Sequence, residues 1–263
     1  NFVNKDICFV TDAGFHPGLP AALVRYSATH MDAIQKGNVF GALRLNWAAI
    51  GVTRDTMMEF IDEFKQYRPL VYKKGTWQKQ SFFKYHLFDF GEPFGQEKCL
   101  PMFLEEMKVL VGQLQGIRET GFYVTGFNKF LDNWLLPIIY LGILVVPSKW
   151  AWPFVNLFLW GSKFTKPPHG VKLVSECVGT RDGQPMNIRI EMYDSDEYLL
   201  TAAPAVACLL QLLEGSGRQP GLSFASNLVR PNRFMLDIQR MGVAFEIHRN
   251  GGQRLQENVV IGE

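Results

Sequence analysis

Ile7-Cys8-Phe9-Val10-Thr11-Asp12-Ala13-Gly14-Phe15-His16-Pro17-Gly18-Leu19-Pro20-Ala21-Ala22-Leu23-Val24-Arg25-Tyr26 is the stretch on which the fold turns. Its first residues are a short apolar run, as a buried strand would have. Gly14, Pro17 and Gly18 then punctuate the chain. From Leu19 apolar residues return at helical spacing, with Pro20 near the start, where the N–H it lacks would have no helical partner. Strand, glycine-bearing loop and helix, in that order, open an α/β unit. Such a loop points backbone amides and a side chain into a crevice at the strand's carboxyl end.

Outward from this stretch, strands and helices continue to mix. Val39 to Trp47 reads as a strand. Thr53 to Gln66 reads as an amphipathic helix with Thr53 as N-cap and Met57, Phe60, Ile61 and Phe64 on one face. Val71-Tyr72 and Phe82 to Phe88 read as strands, and Pro101 to Gln115 as a helix with Phe103, Met107, Leu110 and Leu114 recurring along it. The clearest local signal is Val171 to Tyr193. Two extended runs flank Thr180-Arg181-Asp182-Gly183, and Asp-Gly is a strong hairpin turn. In the second run Met186, Ile188, Ile190 and Met192 alternate with Asn187, Arg189, Glu191 and Tyr193, so one face meets a core and the other solvent. Glu197 to Leu213 is a helix with Pro204 inside it and small residues at Ala202, Ala203, Ala205 and Ala207, suited to core packing or to a cleft wall. Pro231 to Met241 is a last helix stopped by Gly242, and Val243 to Ile247 a final strand. The fold class expected is mixed α/β (α+β): a mixed β-sheet flanked by helices.

Composition narrows the function. The 263 residues are 47% apolar and 20% charged, and 27 basic against 25 acidic residues give a formal charge of +2. That balance lacks the basic excess of a nucleic-acid binder. Cys8, Cys99, Cys177 and Cys208 lie too far apart for a metal or redox motif and read as reduced thiols in a cytoplasmic protein. His16, His30, His86, His169 and His248 show no ligand spacing, so no metal site is expected. A dinucleotide-binding Gly-x-Gly-x-x-Gly is missing too. The nearest match, Gly215-Ser216-Gly217-Arg218-Gln219-Pro220-Gly221, follows a helix and places Pro where a helix should propagate.

Thr11-Asp12-Ala13-Gly14-Phe15-His16-Pro17-Gly18-Leu19-Pro20 resembles the Asp-x-Gly-x-x-Pro-Gly loop of saccharopine-dehydrogenase-like oxidoreductases. Gly170-Val171-Lys172-Leu173, Tyr198-Leu199-Leu200-Thr201-Ala202-Ala203-Pro204-Ala205 and Pro231-Asn232-Arg233-Phe234 resemble later parts of the same family. The likeness covers residues 7–26 most closely, 170–247 more loosely, and little between. It implies an N-terminal Rossmann domain that binds NAD or NADP, a loop like this one leading into a second mixed α/β domain for substrate and dimer contacts, and a return to the first domain at the end. On that division, residues 1–36 are the tail of the Rossmann-like domain, 37–230 the substrate and dimerisation domain, and 231–263 the returning helix and strand. Asp12, Gly14, His16, Pro17 and Gly18 would then stand beside nicotinamide and substrate, the alternative being a tight turn that only joins strand to helix. His16 could donate a proton, touch substrate or serve as a polar cap, so no catalytic residue is assigned. The chain opens at Asn1 without an initiator Met, on a strand-like run, and so reads as processed or as part of something longer. It is expected to be the substrate-binding and dimerisation portion of such an oxidoreductase, inactive alone and binding neither cofactor by itself. The competing expectation is a non-catalytic membrane- or lipid-associated module on the same scaffold.

Residues 134–160 motivate that second expectation. Trp134 to Pro147 is 14 residues without a charge; Ser148-Lys149 interrupts, and Trp150 to Trp160 is again uncharged. A bilayer span needs about 20 apolar residues in one helix. Trp134, Trp150, Trp152 and Trp160 sit within this segment, with Lys129, Lys163 and Lys166 outside it, as at a headgroup boundary. An apolar hairpin that dips into a membrane, one buried in a core or dimer interface, and a true span are the three readings.

Overall fold

The computed structural model describes residues 7–47, 49–50, 53–81, 84–147, 150–217, 219–250 and 253–255. It is a mixed α/β structure. Strand β1 (Cys8–Thr11) runs through the glycine-bearing loop into α1 (Leu19–Ala28), followed by β2 (Ala33–Arg44), α2 (Arg54–Lys65), β3 (Leu70–Lys73), β4 (Thr76–Lys79), β5 (His86–Asp89), β6 (Gln96–Met102), α3 (Glu105–Gln113) and β7 (Glu119–Thr125). A π-helical turn (Leu131–Leu135) leads into α4 (Leu136–Val145) and α5 (Trp152–Ser162). The chain closes with β8 (Gly170–Arg181), β9 (Gln184–Asp194), α6 (Glu197–Leu213), β10 (Gly221–Phe224), α7 (Ala225–Leu228), α8 (Pro231–Arg240), β11 (Phe245–Arg249) and β12 (Gln253–Leu255).

Among the described residues the main sheet has ten strands, in the order β12-β11-β9-β8-β2-β7-β3-β4, with the β5–β6 hairpin joined to it through β7. The pairing of β2 with β7 is parallel and the rest antiparallel, so the sheet is mixed. The β8–β9 hairpin is as read: Arg181 faces Gln184 across a turn in which Asp182 and Gly183 have φ of 51° and 73°. Two consecutive left-handed residues make a type I′ turn, whose twist matches the strands it joins. Met186, Ile188, Ile190 and Met192 are all buried, as the alternation predicts.

Helices α1, α3, α6 and α8 lie over one face of this sheet and close the largest core, which includes Leu19, Leu23, Val39, Leu173, Ile190, Leu200 and Phe234. The opposite face carries a second core, in which Phe40 stacks on Phe88 at 3.8 Å and on Tyr123 at 5.0 Å between ring centroids. A third core lies between α2, α4, α5 and the π-helical turn. Strands β1 and β10 form a separate parallel pair, Cys8 facing Gly221 and Thr11 facing Phe224.

Several boundaries differ from the sequence reading. The helix expected from Pro101 starts at Glu105, because Pro101 and Met102 extend β6 alongside β7. Strand β2 begins at Ala33, six residues before its most apolar part, since its first half pairs with β8 through a bulge at Gln35. Strands β4, β6 and β7 had no clear signal. Of the strand expected over Phe82 to Phe88, His86–Asp89 is seen, whereas Phe82 and Phe83 fall outside the described residues. Helix α6 buries one side only: Leu200, Ala203 and Ala207 face the core, and Ala202, Ala205, Leu209 and Leu213 face out.

The apolar hairpin corrects its expectation in two respects. Among the described residues no helix is long and apolar enough to cross a membrane, which removes the true span. The segment is also not wholly outside the fold, because Leu135, Ile139, Ile143, Val155 and Phe158 are buried against Met57 and Ile61 of α2. Trp152 packs half-buried at the edge of this third core, whereas Trp134, Trp150 and Trp160 are exposed.

Candidate functional site

The loop between β1 and α1 is tightly tied. The Gly14 N–H donates to Pro17 O at 2.9 Å, and the Leu19 N–H to Gly14 O at 3.1 Å. The His16–Pro17 peptide is cis, and Gly18 has φ of 130°. A Cβ built on Gly18 would stand 2.6 Å from Gly14 O and 2.8 Å from Asp12 O, both backbone atoms that cannot step aside. Glycine is required there by space as well as by conformation. Asp12 holds a left-handed φ of 57°, uncommon outside glycine though Asp tolerates it better than most. Its Oδ1 accepts a hydrogen bond of 2.8 Å from the Thr11 hydroxyl, so the carboxylate is oriented at the carboxyl end of β1.

The sequence-predicted residues Asp12, Gly14, His16, Pro17 and Gly18 thus meet in one compact turn. Asp12 and Gly14 are half-buried and Gly18 fully buried. Gly14 faces α6, where a Cβ on it would lie 3.6 Å from Thr201 Cγ2. Thr201 of α6 therefore lies beside the loop, while Ala203 and Ala207 face the core and Ala202 and Ala205 face out. The tryptophans of the hairpin lie elsewhere: α4 and α5 pack on each other and on α2, while α1 packs on β2, β8, α3, α7 and α8.

His16 leans on Phe15 and Phe122, with ring centroids 5.1 and 5.5 Å away. Some surface of the residue remains open, but its Nε2 is buried without a hydrogen-bond partner among the described residues. Burial pulls its pKa down to about 4, only partly offset by a hydrogen bond with its own backbone. The imidazole is neutral at physiological pH, with one nitrogen uncommitted.

Beneath the loop lies a carboxyl group that sequence reasoning did not single out. Glu106, in the first turn of α3, is completely buried, and its Oε1 accepts the Gly18 N–H at 3.0 Å. The N-cap of α1 is Gly18, which has no side chain to cap with, and the first turn of α1 has no acid. Glu106 supplies the acceptor from 88 residues away in sequence, against the positive end of the helix dipole. Burial nevertheless raises its pKa to about 7; the Gly18 N–H, the Ser226 hydroxyl and the Ala21 amide oppose that rise, and the Asp12 charge adds to it. Oε2 itself lies outside hydrogen-bonding geometry with any of them. In sequence Glu106 looks like any acid opening a surface helix, and nothing local marks it as buried. On the far side of α1, Arg25 donates to the carbonyls of Ser226 and Val229, fixing α1 to α7.

The structure gives the Gly215–Gly221 stretch an ordinary role. Ser216 N–H donates to Gln211 O at 2.9 Å and Gly215 N–H to Leu212 O at 3.1 Å, the pattern of a Schellman motif closing α6 before β10. It follows a helix and enters a strand, the reverse of a phosphate-cradling loop. Among the described residues no cluster of His, Cys, Asp and Glu could hold a metal ion, and the four cysteines are free.

No family model and no curated protein sequence matches the chain. Solved structures do match in fold. Apo saccharopine dehydrogenase (L-Glu forming) from Saccharomyces cerevisiae aligns with a TM-score of 0.60 over 94% of this chain and 75% of that one, at 10% sequence identity. At that identity the likeness is one of fold: a mixed sheet flanked by helices, similar to the scaffold of saccharopine dehydrogenase.

Proposed function

We propose that this chain is the substrate-side portion of an NAD(P)-dependent oxidoreductase built on that scaffold. Residues 1–36 and 231–263 would belong to the trailing part of its nucleotide-binding unit and 37–230 to its substrate and dimerisation unit. The observation that carries the reading is the loop itself. An oriented carboxylate, Asp12, and a neutral imidazole with an uncommitted nitrogen, His16, stand on one turn at the carboxyl end of a parallel strand pair. Ligands of open α/β sheets bind beyond the carboxyl ends of the strands.

A nicotinamide held beside the loop would supply hydride acceptance, and this chain's own residues would handle substrate and the proton its heteroatom releases. Asp12 is the loop's proton acceptor. His16, being neutral, packs its ring on Phe15 and Phe122 and positions substrate through the surface of the residue that stays open. Glu106 and Gly18 keep the loop in place from behind. Gly-x-Gly-x-x-Gly is not among these 263 residues, so the dinucleotide's phosphates would be held by chain outside them.

The test is kinetic, on the gene product that carries these residues together with its nucleotide-binding half. Following reduced nicotinamide by absorbance against a panel of amino acids and their conjugates, Asp12→Asn should lower kcat/KM by about 100-fold or more. His16→Gln should act mainly on KM, and both should leave the dinucleotide Kd unchanged. Turnover in Asp12→Asn equal to that of the unaltered protein would refute the role given to the loop.

A further inference from the structure

We propose that the outward face of the α4–α5 hairpin docks on an anionic lipid surface, an inference that goes beyond the oxidoreductase reading and does not depend on it. The end of the π-helical turn and α4 together carry two apolar stripes. Leu135, Ile139 and Ile143 recur every four residues on the buried side against α2, and Trp134, Ile138, Leu141 and Val145 recur on the other. A helix at a water-facing surface has one apolar stripe and one polar one. Here the outer stripe is bare: Trp134 is 70%, Leu141 66% and Val145 81% exposed. A contiguous patch of this kind marks an interaction site.

The chemistry beside the patch selects the partner. From 133 to 170 the sequence has three lysines, Lys149, Lys163 and Lys166, and no acidic residue. Phe130, Trp160 and Phe164 form an exposed edge-to-face cluster, with ring centroids 5.3 to 5.7 Å apart, between the exposed Lys129 and Lys163. Aromatic rings with lysines beside them suit the headgroup boundary, and an apolar stripe beyond them suits the acyl region. Among the described residues no helix can cross a bilayer, so the hairpin would lie in one leaflet. The cationic flanks of the hairpin favour anionic headgroups over a second copy of this chain, whose own flanks would repel them.

Co-sedimentation of the full chain with phosphatidylcholine vesicles, with and without phosphatidylserine, tests this. The chain should pellet with the phosphatidylserine vesicles, less so as salt rises, and its tryptophan emission should shift to the blue. Changing Trp134, Leu141 and Trp150 together to Ser should reduce partitioning by about tenfold or more with an unchanged melting temperature, because all three point away from the core. Val145→Ser alone, at a still more exposed position, serves if the triple variant does not fold. Lys163→Glu with Lys166→Glu should abolish the preference for phosphatidylserine. Absence of pelleting with either vesicle, equal pelleting by the outward-face variants, or self-association that occurs without vesicle binding would each overturn the proposal.

Discussion

At the scale of single residues, the buried pair of titratable groups under the loop has a measurable signature. Glu106 has its folded pKa raised from 4.5 to about 7 by burial. Its contribution to stability is therefore fully present below pH 4.5 and is lost as pH rises through 7. One pKa unit corresponds to about 1.4 kcal/mol, so the loss is on the order of 3 kcal/mol. His16 acts in the opposite sense, because its folded pKa is lowered from 6.5 to about 4. Its contribution is present above pH 6.5 and lost as pH falls toward 4. Glu106→Gln keeps an acceptor for the Gly18 N–H and removes the charge. Denaturant unfolding should find the variant close to the unaltered protein at pH 4.5 and more stable by up to about 3 kcal/mol at pH 8. A difference independent of pH would show that Glu106 is not buried as described. Asp12, Gly14, His16, Pro17 and Gly18 were legible in the sequence because turn chemistry is local. Glu106 was not, because its burial depends on α3 packing across the start of α1.

At the scale of elements, legibility followed periodicity and end signals. Helix α2 was readable because Thr53 caps it, its side chain accepting from the Thr56 N–H at 3.2 Å, and because Met57 and Ile61 mark its inner face. The β8–β9 hairpin was readable from Asp182-Gly183 and from strict alternation. Strands β4, β6 and β7 escaped for a physical reason. Strand β7, Glu119–Thr125, is buried on both faces at its centre, so it shows no alternation, and Gly121 and Thr120 dilute its apolar run. Strands β4 and β6 are polar along much of their length and are held by their neighbours' ladders. The turn itself can be tested. Gly183 has φ of 73°, and a Cβ added to it would meet nothing within 4 Å. Gly183→Val therefore meets no clash, and its cost is that of a β-branched residue in a left-handed conformation, about 1–2 kcal/mol. An unchanged melting temperature would contradict the type I′ turn.

At the scale of the whole molecule, three cores divide the work: one beneath α1, α3, α6 and α8, one on the opposite face of the sheet, and one within the helical hairpin. The mixed α/β class followed from the alternation of strand and helix signals, but the ten-strand order did not, because β2 pairs with β7 and β8, partners about 80 and 140 residues distant. The site divides similarly, its loop legible and its supporting carboxylate not. The central claim is that this chain brings the substrate side of a dinucleotide-dependent reaction and no phosphate cradle of its own. Calorimetric titration of the 263-residue chain with NADH and with NADPH tests it most directly. The account predicts no saturable heat from either; a Kd of about 10 µM or tighter, near −7 kcal/mol, would contradict it.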